Sequence, residues 1–399
     1  MKDIALAYHK NGKPGKLAIE ITKPVADEND LALAYTPGVS HAVQAIADDP
    51  SSVYDYTAKG NLVAVITNGS AILGMGNLGP SAAKPVMEGK AILFKKCADI
   101  DAIDIEVDAS DPETFIDTVA RISPTFGGTN LEDIKAPDCF IIEDELRKRL
   151  DIPVFHDDQH GTAIIVSAAI LNGLEVQKKS IKNTKIVFIG AGAAAIATAK
   201  HLVNLGFEKD QITMLDRQGV INHKRTGLNR YKQEWARQTE INTLDQAVVG
   251  ADVVVGLSGP NILTTQHISQ LADKPLVFAL SNPTPEIMPD LVQSVKHDAI
   301  IATGRSDFPN QVNNLLCFPY IFRGALDSQS KTISRDMMTA ATKAIMKLAK
   351  EPVPTEVINL SKRKNLSFGP NYIIPLALDY RLKHVVSKAV SDCAAVCEE

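Results

Sequence analysis

Residues 185–195 read KIVFIGAGAAA, an apolar run that ends in a glycine turn. Gly190 permits the tight turn out of a strand, Gly192 lets backbone N–H groups approach a pyrophosphate, and Ala195 lets the next helix pack close to the sheet. That helix is predicted to start at Ala193, and its positive N-terminal end suits phosphate groups. The stretch therefore predicts a dinucleotide-binding βαβ unit.

A second apolar run, residues 212–216, ends in an acid. Asp216 follows the glycine turn by about 20 residues, where a carboxylate can accept hydrogen bonds from an adenosine ribose. Asp216 should repel a 2′-phosphate, whereas Arg217 beside it could bind one. The sequence predicts NAD or NADP as cofactor and favours NAD.

Length and composition predict an ordinary globular protein of two domains. The chain has 399 residues, of which 45% are apolar and 22% are charged. Its length exceeds the size at which a single hydrophobic core usually stops growing, so two domains are expected. The net charge is −5, from 42 basic and 47 acidic residues, and no basic run argues for a nucleic-acid or membrane-surface partner. No stretch has the length and hydropathy of a signal core or membrane span, so the expected location is cytoplasmic.

Strand-like runs occur through both halves of the chain. In the first half they lie at residues 62–67, 102–107 and 139–142. In the second half they lie at residues 186–189, 212–215, 252–257, 276–280 and 299–302. Alternation with helices predicts an α/β fold: an N-terminal α/β domain (residues 1–155) and a Rossmann-like doubly wound parallel-sheet NAD(P)-binding domain with C-terminal helices (residues 156–399).

Two further segments are interpreted from their composition. Residues 161–171 are almost all apolar and predict a buried helix stopped by Asn172 and Gly173. A second glycine-rich run, residues 74–79, also fits a phosphate-binding pattern. Because Pro80 and Pro85 should interrupt a phosphate-binding helix, this run is predicted to be a turn or a substrate-side loop.

Two pairs of adjacent acids stand out from surface charge. Asp157 and Asp158 lie between an apolar strand and an apolar helix, so they need a partner, and a divalent cation such as Mg²⁺ or Mn²⁺ suits carboxylate oxygens. Glu132 and Asp133 could belong to the same site. They could equally form the acidic first turn of a capped helix, and their spacing leaves both interpretations open.

Eight motifs, in order along the chain, resemble those of malic enzymes of the small bacterial type. The similarity runs from about residue 24 to residue 380. The motifs are AYTPGV (34–39), GNLG (76–79), KPVMEGK (84–90), NLEDI (130–134), FHDDQHGTA (155–163), GAGA (190–193), LSNPT (280–284) and NQVNN (310–314).

The resemblance implies site residues that composition and spacing alone do not assign. It implies that Glu132, Asp133 and Asp158 hold the divalent metal. It also implies that Lys90 is the general base, with a pKa lowered by burial or a nearby cation, and that Tyr35 is the general acid. From the residues alone, Lys90 would be a surface lysine and Tyr35 a packed aromatic.

Other contacts are implied for malate and for the nicotinamide end of the cofactor. Asn282 and Asn314 would contact both. The resemblance also implies that the position of Ala71 is an arginine in larger malic enzymes, where it binds a malate carboxylate. Because alanine cannot do this, Lys84 is the candidate partner for the distal carboxylate.

The implied function is oxidative decarboxylation of (S)-malate to pyruvate and CO₂ with reduction of NAD(P)⁺, together with decarboxylation of oxaloacetate. One alternative is a malolactic enzyme, which shares the motifs, retains NADH and releases lactate. Another is a catalytically silent NAD(H)-sensing protein, which would not need the acidic pairs.

The N-terminal segment predicts an assembly. A short helix after Tyr35 presents Val39, Val43 and Ile46 on one face, and this apolar face must be buried. Small malic enzymes resemble one another in being symmetric dimers. A two-fold homodimer with an interface near residues 20–50 is therefore expected, with Tyr35 donated to the neighbouring subunit.

Overall fold

Ten strands form two sheets in the computed structural model, which describes residues 2–361, 363 and 366–397. The strands are β1 (Leu62–Thr67), β2 (Asp101–Glu106), β3 (Gly128–Leu131), β4 (Val154–His156), β5 (Ile186–Ile189), β6 (Ile212–Asp216), β7 (Gly219–Val220), β8 (Val253–Gly256), β9 (Leu276–Ala279) and β10 (Ile300–Thr303).

Helices connect these strands and form both ends of the described chain. They are α1 (Lys2–Lys10), α2 (Glu28–Ala34), α3 (Val39–Asp48), α4 (Val53–Tyr56), α5 (Pro80–Ala98), α6 (Pro112–Ile122), α7 (Asp138–Arg149), α8 (Thr162–Gln177), α9 (Ala193–Asn204), α10 (Arg230–Gln233), α11 (Leu244–Ala247), α12 (Thr265–Ser269), α13 (Pro289–Val295), α14 (Phe318–Asp327), α15 (Arg335–Leu348), α16 (Thr355–Asn359) and α17 (Arg381–Cys397).

The first sheet has the order β2-β1-β3-β4, and all its strands are parallel. Residues 63–66 of the central strand β1 are completely buried, as expected for a parallel sheet covered on both faces. Because β3 and β4 are parallel neighbours, the residues that follow them lie at the same edge of the sheet. Both acidic pairs occupy that edge.

The second sheet has the order β10-β9-β8-β5-β6-β7, with only the short β7 antiparallel. Starting from β5, the chain adds β6 and β7 on one side and then β8, β9 and β10 on the other side. This is the doubly wound arrangement, and the order in which strands are added reverses between β5 and β8. Ligands bind such sheets beyond the carboxyl ends of the strands at this switch point. The α/β fold with a Rossmann-like parallel sheet is thus confirmed.

Two local predictions were wrong. Residues 139–142 lie inside helix α7 rather than in a strand, because a four-residue apolar run does not distinguish a strand from a buried helix turn. Helix α8 does not stop at Asn172 and Gly173 but continues to Gln177. The Asn172 amide donates to the carbonyls of Met346 and Ile373, so tertiary contacts keep it within the helix.

Helix α5 begins at Pro80 and contains Pro85, so these prolines do not prevent a helix after the glycine-rich run. Pro80 occupies the first helical position, where its missing N–H costs nothing. The run itself is a loop, as predicted. A Cβ on Gly74 would lie 3.8 Å from the carbonyl oxygen of Asn282, so the loop reaches the second sheet.

The C-terminal helices pack back onto the first sheet. Helix α14 contacts both α5 and α17, and the rings of Phe318 and Phe322 lie 4.9 Å and 5.4 Å from that of Phe94. One cluster of buried apolar residues includes members of both sheets. Across the described residues, each helix is too short or too polar to cross a membrane.

Candidate active site

Three carboxylates meet where strands β3 and β4 end. Glu132 and Asp133 follow β3 directly, and Asp158 lies in a π-helical turn, residues 157–161, that follows β4. One carboxylate oxygen from each residue lies within 4.8 Å of the other two. Asp133 has a left-handed backbone (φ 54°), and its N–H donates to Asp158 Oδ2 at 2.9 Å. We call these three residues the acidic cluster.

Burial and mutual repulsion disfavour the charged forms of the carboxylates in the acidic cluster. Burial raises the pKa of Asp133 to about 7, and the charge of Asp158 adds to the effect. Burial also raises the pKa of Glu132 well above its usual value. Among the described residues, buried Asp133 Oδ2 has no hydrogen-bond partner. An oxygen-only set of clustered carboxylates fits a hard divalent cation such as Mg²⁺ or Mn²⁺.

Lys90 reaches the acidic cluster from helix α5. Its ammonium contacts Asp157 Oδ2, lies 3.0 Å from Glu132 Oε1, and sits 4.5 Å above the ring of Phe318. Burial lowers the pKa of Lys90, but the charges of Asp157, Glu132 and Asp158 outweigh burial and raise it. In the chain itself the pKa of Lys90 is therefore raised, not lowered as expected from burial or a nearby cation.

Asp157 is a functional candidate that the sequence did not separate from Asp158. Its side chain is fully buried and is held by Lys90 and by Asn314 Nδ2 at 3.2 Å. Gly161 leaves room for it, since a Cβ there would lie 1.9 Å from Asp157 Oδ1. The adjacent acids were visible in the sequence, but which of them faces the lysine depends on the π-helical turn.

The two predicted asparagines flank the site from the second half of the chain. Asn314 lies at the start of a short 3₁₀ turn and accepts a hydrogen bond from Thr162 Oγ1 at 3.1 Å. Asn282 follows β9 and is exposed. A Cβ on Gly304 would lie 2.5 Å from Asn282 Nδ2, so the loops after β9 and β10 touch here. Asn314 thus contacts Asp157, the partner of Lys90, whereas Asn282 lies at the edge of the second sheet.

Lys84 and Tyr35 are not brought to the acidic cluster within one chain. Lys84 pairs with Asp104 at 2.7 Å and Glu106 at 3.5 Å, so its charge is already compensated. The Tyr35 side chain is 69% exposed, and within the described residues no hydrogen bond or ion pair joins it to Lys90. Their assigned roles stay predictions.

The glycine turn opens a cavity of about 1050 Å³ at the switch point of the second sheet. Gly190 and Gly192 line it. Gly190 has φ 121°, and a Cβ there would lie 2.5 Å from the Leu257 carbonyl oxygen, so this position requires glycine. Ala193 begins helix α9, and Ala195 is buried. The cavity lies where a dinucleotide binds in sheets of this kind.

Asp216 lines the same cavity, but its negative charge is not isolated. Arg225 Nη1 and Lys232 Nζ lie 2.8 Å and 2.7 Å from its two carboxylate oxygens. Although burial raises the pKa of Asp216, these two cations lower it to about 2. Arg217, Arg225 and Lys232 all line the cavity. The expected repulsion of a 2′-phosphate by Asp216 is therefore offset, and no local sequence pattern pointed to Arg225 or Lys232.

A buried carboxylate, Glu286, joins two loops beside this cavity. It accepts hydrogen bonds from the backbone N–H groups of Ser258 and Ser281, each at 3.1 Å, and these residues follow β8 and β9. A Cβ on Gly256 would lie 2.4 Å from the Glu286 carboxyl carbon. Glu286 therefore fixes the spacing of two loops at the switch point.

We expect Glu286→Gln to raise the KM for the dinucleotide by about ten-fold, because the amide N–H would oppose one of the two backbone donors. Steady-state kinetics with varied dinucleotide would measure this. Asp290→Asn, an exposed acid in the next helix, is the matched control. An unchanged KM for Glu286→Gln would show that the two loops do not depend on it.

Comparison with known proteins gives the family. Residues 14–147 match "Malic enzyme, N-terminal domain" and residues 159–362 match "Malic enzyme, NAD binding domain". The NADP-dependent malic enzyme of Halomonas elongata is 56% identical over 98% of this chain and 93% of its own length. That of Rhizobium meliloti is 53% identical, but the chain spans only 51% of its length.

A solved structure agrees in fold. The NAD-dependent malic enzyme of Thermotoga maritima superimposes with a TM-score of 0.88 at 43% identity, covering 97% of this chain and 98% of the other. The two domain matches cover most of the chain, and both the sequence and the fold agree across nearly its whole length. The chain belongs to the malic enzyme family.

Proposed function

We propose that this protein oxidatively decarboxylates (S)-malate to pyruvate and CO₂, reduces NADP⁺, depends on Mg²⁺ or Mn²⁺, and also decarboxylates oxaloacetate. The observation that carries the proposal is the buried acidic cluster with Lys90 held against it. A binding module without chemistry would gain nothing from such a costly arrangement of buried charges.

The acidic cluster, Glu132, Asp133 and Asp158, would hold the cation. Bound there, it would polarise the C2 oxygen of malate, stabilise negative charge as CO₂ leaves, and compensate the carboxylates that raise the pKa of Lys90.

The remaining work falls to residues of the chain. Lys90 Nζ takes the C2 hydroxyl proton, and Asp157 orients this nitrogen and stabilises its positive charge. Asn314 fixes Asp157 from the other side, while Asn282 contacts malate and the nicotinamide end. Tyr35 protonates the enol carbon to complete pyruvate. Lys84 remains the proposed partner of the distal carboxylate.

We propose NADP rather than NAD as the preferred cofactor, which revises the preference expected from Asp216 alone. Arg225 and Lys232 compensate Asp216 and leave guanidinium and ammonium donors at the cavity wall where the ribose of a dinucleotide should lie. The curated relatives from Halomonas and Rhizobium are described as NADP-dependent, which supports this choice.

Arg225→Ala should raise the KM for NADP⁺ by about ten-fold and leave the KM for NAD⁺ nearly unchanged, because one charged contact to the 2′-phosphate is lost. Kinetics with both cofactors would measure the ratio. Lys224→Ala is the matched control, since Lys224 is exposed and pairs with Glu240. Equal changes for NADP⁺ and NAD⁺ would contradict a role in 2′-phosphate recognition.

We also propose a two-fold dimer through the N-terminal segment. The segment exposes many large apolar side chains, more than a monomer leaves in contact with water. They are Ile4, Leu6, Tyr8, Ile19, Ile21, Val25, Leu31, Leu33, Val39 and Val43. Tyr35 lies among them. A partner subunit that covers this surface would therefore bury Tyr35, and Tyr35 of one subunit would reach Lys90 of the other.

Inactive Tyr35→Phe and inactive Lys90→Ala proteins should recover activity when mixed, because each mixed dimer has one site with both native groups. Complete random exchange should restore about a quarter of the native activity. Mass analysis of tagged subunits would confirm that exchange occurs. If exchange is complete and activity stays absent, Tyr35 serves its own subunit.

We also propose a domain organisation and a cellular location. We place the domain boundary at residue 155, between the acidic pairs, with residues 156–399 forming the dinucleotide-binding part. No basic surface run points to nucleic acid, so the proposed partners are malate and a second copy of the chain. The cytoplasmic location stays a prediction from the sequence.

Product analysis tests the proposed reaction. With malate, NADP⁺ and Mn²⁺, we expect pyruvate and NADPH in equal amounts. Lactate without net cofactor reduction would identify the malolactic alternative, and absence of any product would favour the silent NAD(H)-sensing protein. Either outcome would overturn the proposal.

A further inference from the structure

A second cavity, of about 650 Å³, lies between α7, the π-helical turn, α9, α10 and α15. It shares no lining residue with the dinucleotide cavity. Its volume falls in the range of small-molecule sites. The proposed reaction makes no use of it.

One wall of this second cavity is aromatic. The rings of Phe140 and Tyr231 lie 4.2 Å apart and are tilted by 35°, and Trp235 lines the cavity beside them. Trp235 is 3% exposed, and its indole N–H has no hydrogen-bond partner in the described part of the chain. A buried N–H group of this kind needs an acceptor, which a ligand can supply.

His201 adds a matching acceptor to the wall. Thr342 Oγ1 donates to the Met338 carbonyl, so it accepts from His201 Nε2 at 2.8 Å, and that nitrogen carries the hydrogen. Burial lowers the pKa of His201 to about 4, so the ring is neutral and Nδ1 has a free lone pair. Within the described residues Nδ1 is buried without a partner. The cavity thus has both a buried donor and a buried acceptor to satisfy.

Cationic side chains outnumber carboxylates in the lining of the second cavity. Its lining includes five cationic side chains and three carboxylates. The cations are Arg147, Lys148, Lys200, Lys209 and Arg335. Arg335 is exposed and has no ion pair among the residues described, and the ammonium of Lys209 lies 5.3 Å above the ring of Trp235. These groups suit an anion that is bound beside a flat ring.

We propose that the second cavity binds a nucleoside phosphate, with the base against the aromatic wall and the phosphates on Arg335 and Lys209. The base supplies the acceptor for Trp235 and the donor for His201. Neither a simple anion nor a neutral ring would satisfy both halves of this site.

The second cavity also adjoins the segment that carries the catalytic acids. Gln159 and His160 line it, and both bond to the carboxylate of Glu143, at 3.0 Å and 2.9 Å. They belong to the same five-residue turn as Asp157 and Asp158. A ligand in the second cavity therefore contacts the segment whose other residues hold Lys90 and complete the acidic cluster.

The chain's single tryptophan makes a direct test available, because Trp235 lines this cavity. The full protein, with NADP⁺ saturating the dinucleotide cavity, would be titrated with ADP, adenosine and pyrophosphate while its tryptophan fluorescence is followed. We expect a saturable change with ADP, at least ~10-fold weaker binding of adenosine or pyrophosphate alone, and a further loss of ~10-fold in Arg335→Ala.

Lys331→Ala is the matched control, because Lys331 is an exposed cation four residues earlier that does not line the cavity. Absence of a saturable response to ADP while NADP⁺ saturates the dinucleotide cavity would overturn the proposal, because no second site for ADP would then exist. Pyrophosphate binding as tight as ADP, or unchanged ADP binding in Arg335→Ala, would overturn it as well. Because the signal does not require turnover, this result is independent of the proposed reaction.

Discussion

Asp158→Asn will reduce malate turnover by ~10³-fold or more, because loss of metal assistance removes several kcal/mol of transition-state stabilisation. The change keeps the shape of the side chain but removes the charge of one of the three carboxylates that we propose hold the metal. Dinucleotide binding should stay near the native value, since the glycine turn lies on the second sheet. Turnover with Mn²⁺ and equilibrium binding of NADP⁺ would be measured side by side.

Asp151→Asn is the matched control for this prediction, because Asp151 is an almost fully exposed acid shortly before β4. A chelator should stop the native enzyme as completely as the Asp158→Asn change does. Full activity in the presence of the chelator would contradict the metal assignment, whatever the variant shows.

Lys90→Ala should lower malate oxidation by ~10²-fold to 10⁴-fold, the usual loss when a proton-transfer group is removed. It also leaves Asp157 as a buried carboxylate without its cation, so a loss of stability of about 3–5 kcal/mol is expected. Activity must therefore be compared with thermal unfolding of the same samples.

The double variant Lys90→Ala/Asp157→Asn separates the two effects, because it also removes the buried charge of Asp157. We expect it to recover stability but not activity. Lys95→Ala, on the same helix and paired with the exposed side chains of Asp99 and Asp101, is the matched control. Native turnover by a folded Lys90→Ala protein would remove Lys90 from the mechanism.

Much of the fold could be predicted from the sequence because it depends on local pattern. The glycine turn requires positive φ at Gly190, and the largely β-branched apolar run before it forms the buried strand β5. The strand predicted at residues 139–142 was wrong because four apolar residues fit either a strand or one face of α7. The acids that follow this run favour the helix.

The partners of charged residues could not be predicted, because they depend on tertiary packing. Lys90 and Asp157 are 67 residues apart, and the rotation of the π-helical turn decides that Asp157 rather than Asp158 meets the lysine. Asp216 was correctly expected at a strand end. Its cationic partners, Arg225 and Lys232, lie beyond that strand in a segment with no periodic pattern.

Tyr35 shows a different limit. The resemblance implies a role in catalysis, yet the single chain leaves the side chain exposed on the N-terminal surface. The second subunit that we propose would bring Tyr35 into contact with the active site. The sequence pattern predicts the apolar surface of the N-terminal segment, but it does not predict how a partner subunit would pack against that surface.

Anomalous X-ray diffraction from crystals grown with NADP⁺ and Mn²⁺ would show directly whether the acidic cluster binds the metal. We expect one strong peak in contact with carboxylate oxygens of Glu132, Asp133 and Asp158, and its loss in crystals of Asp158→Asn. A peak bound elsewhere, or an acidic cluster that stays free of Mn²⁺ at saturating concentration while the enzyme turns over, would contradict the metal assignment.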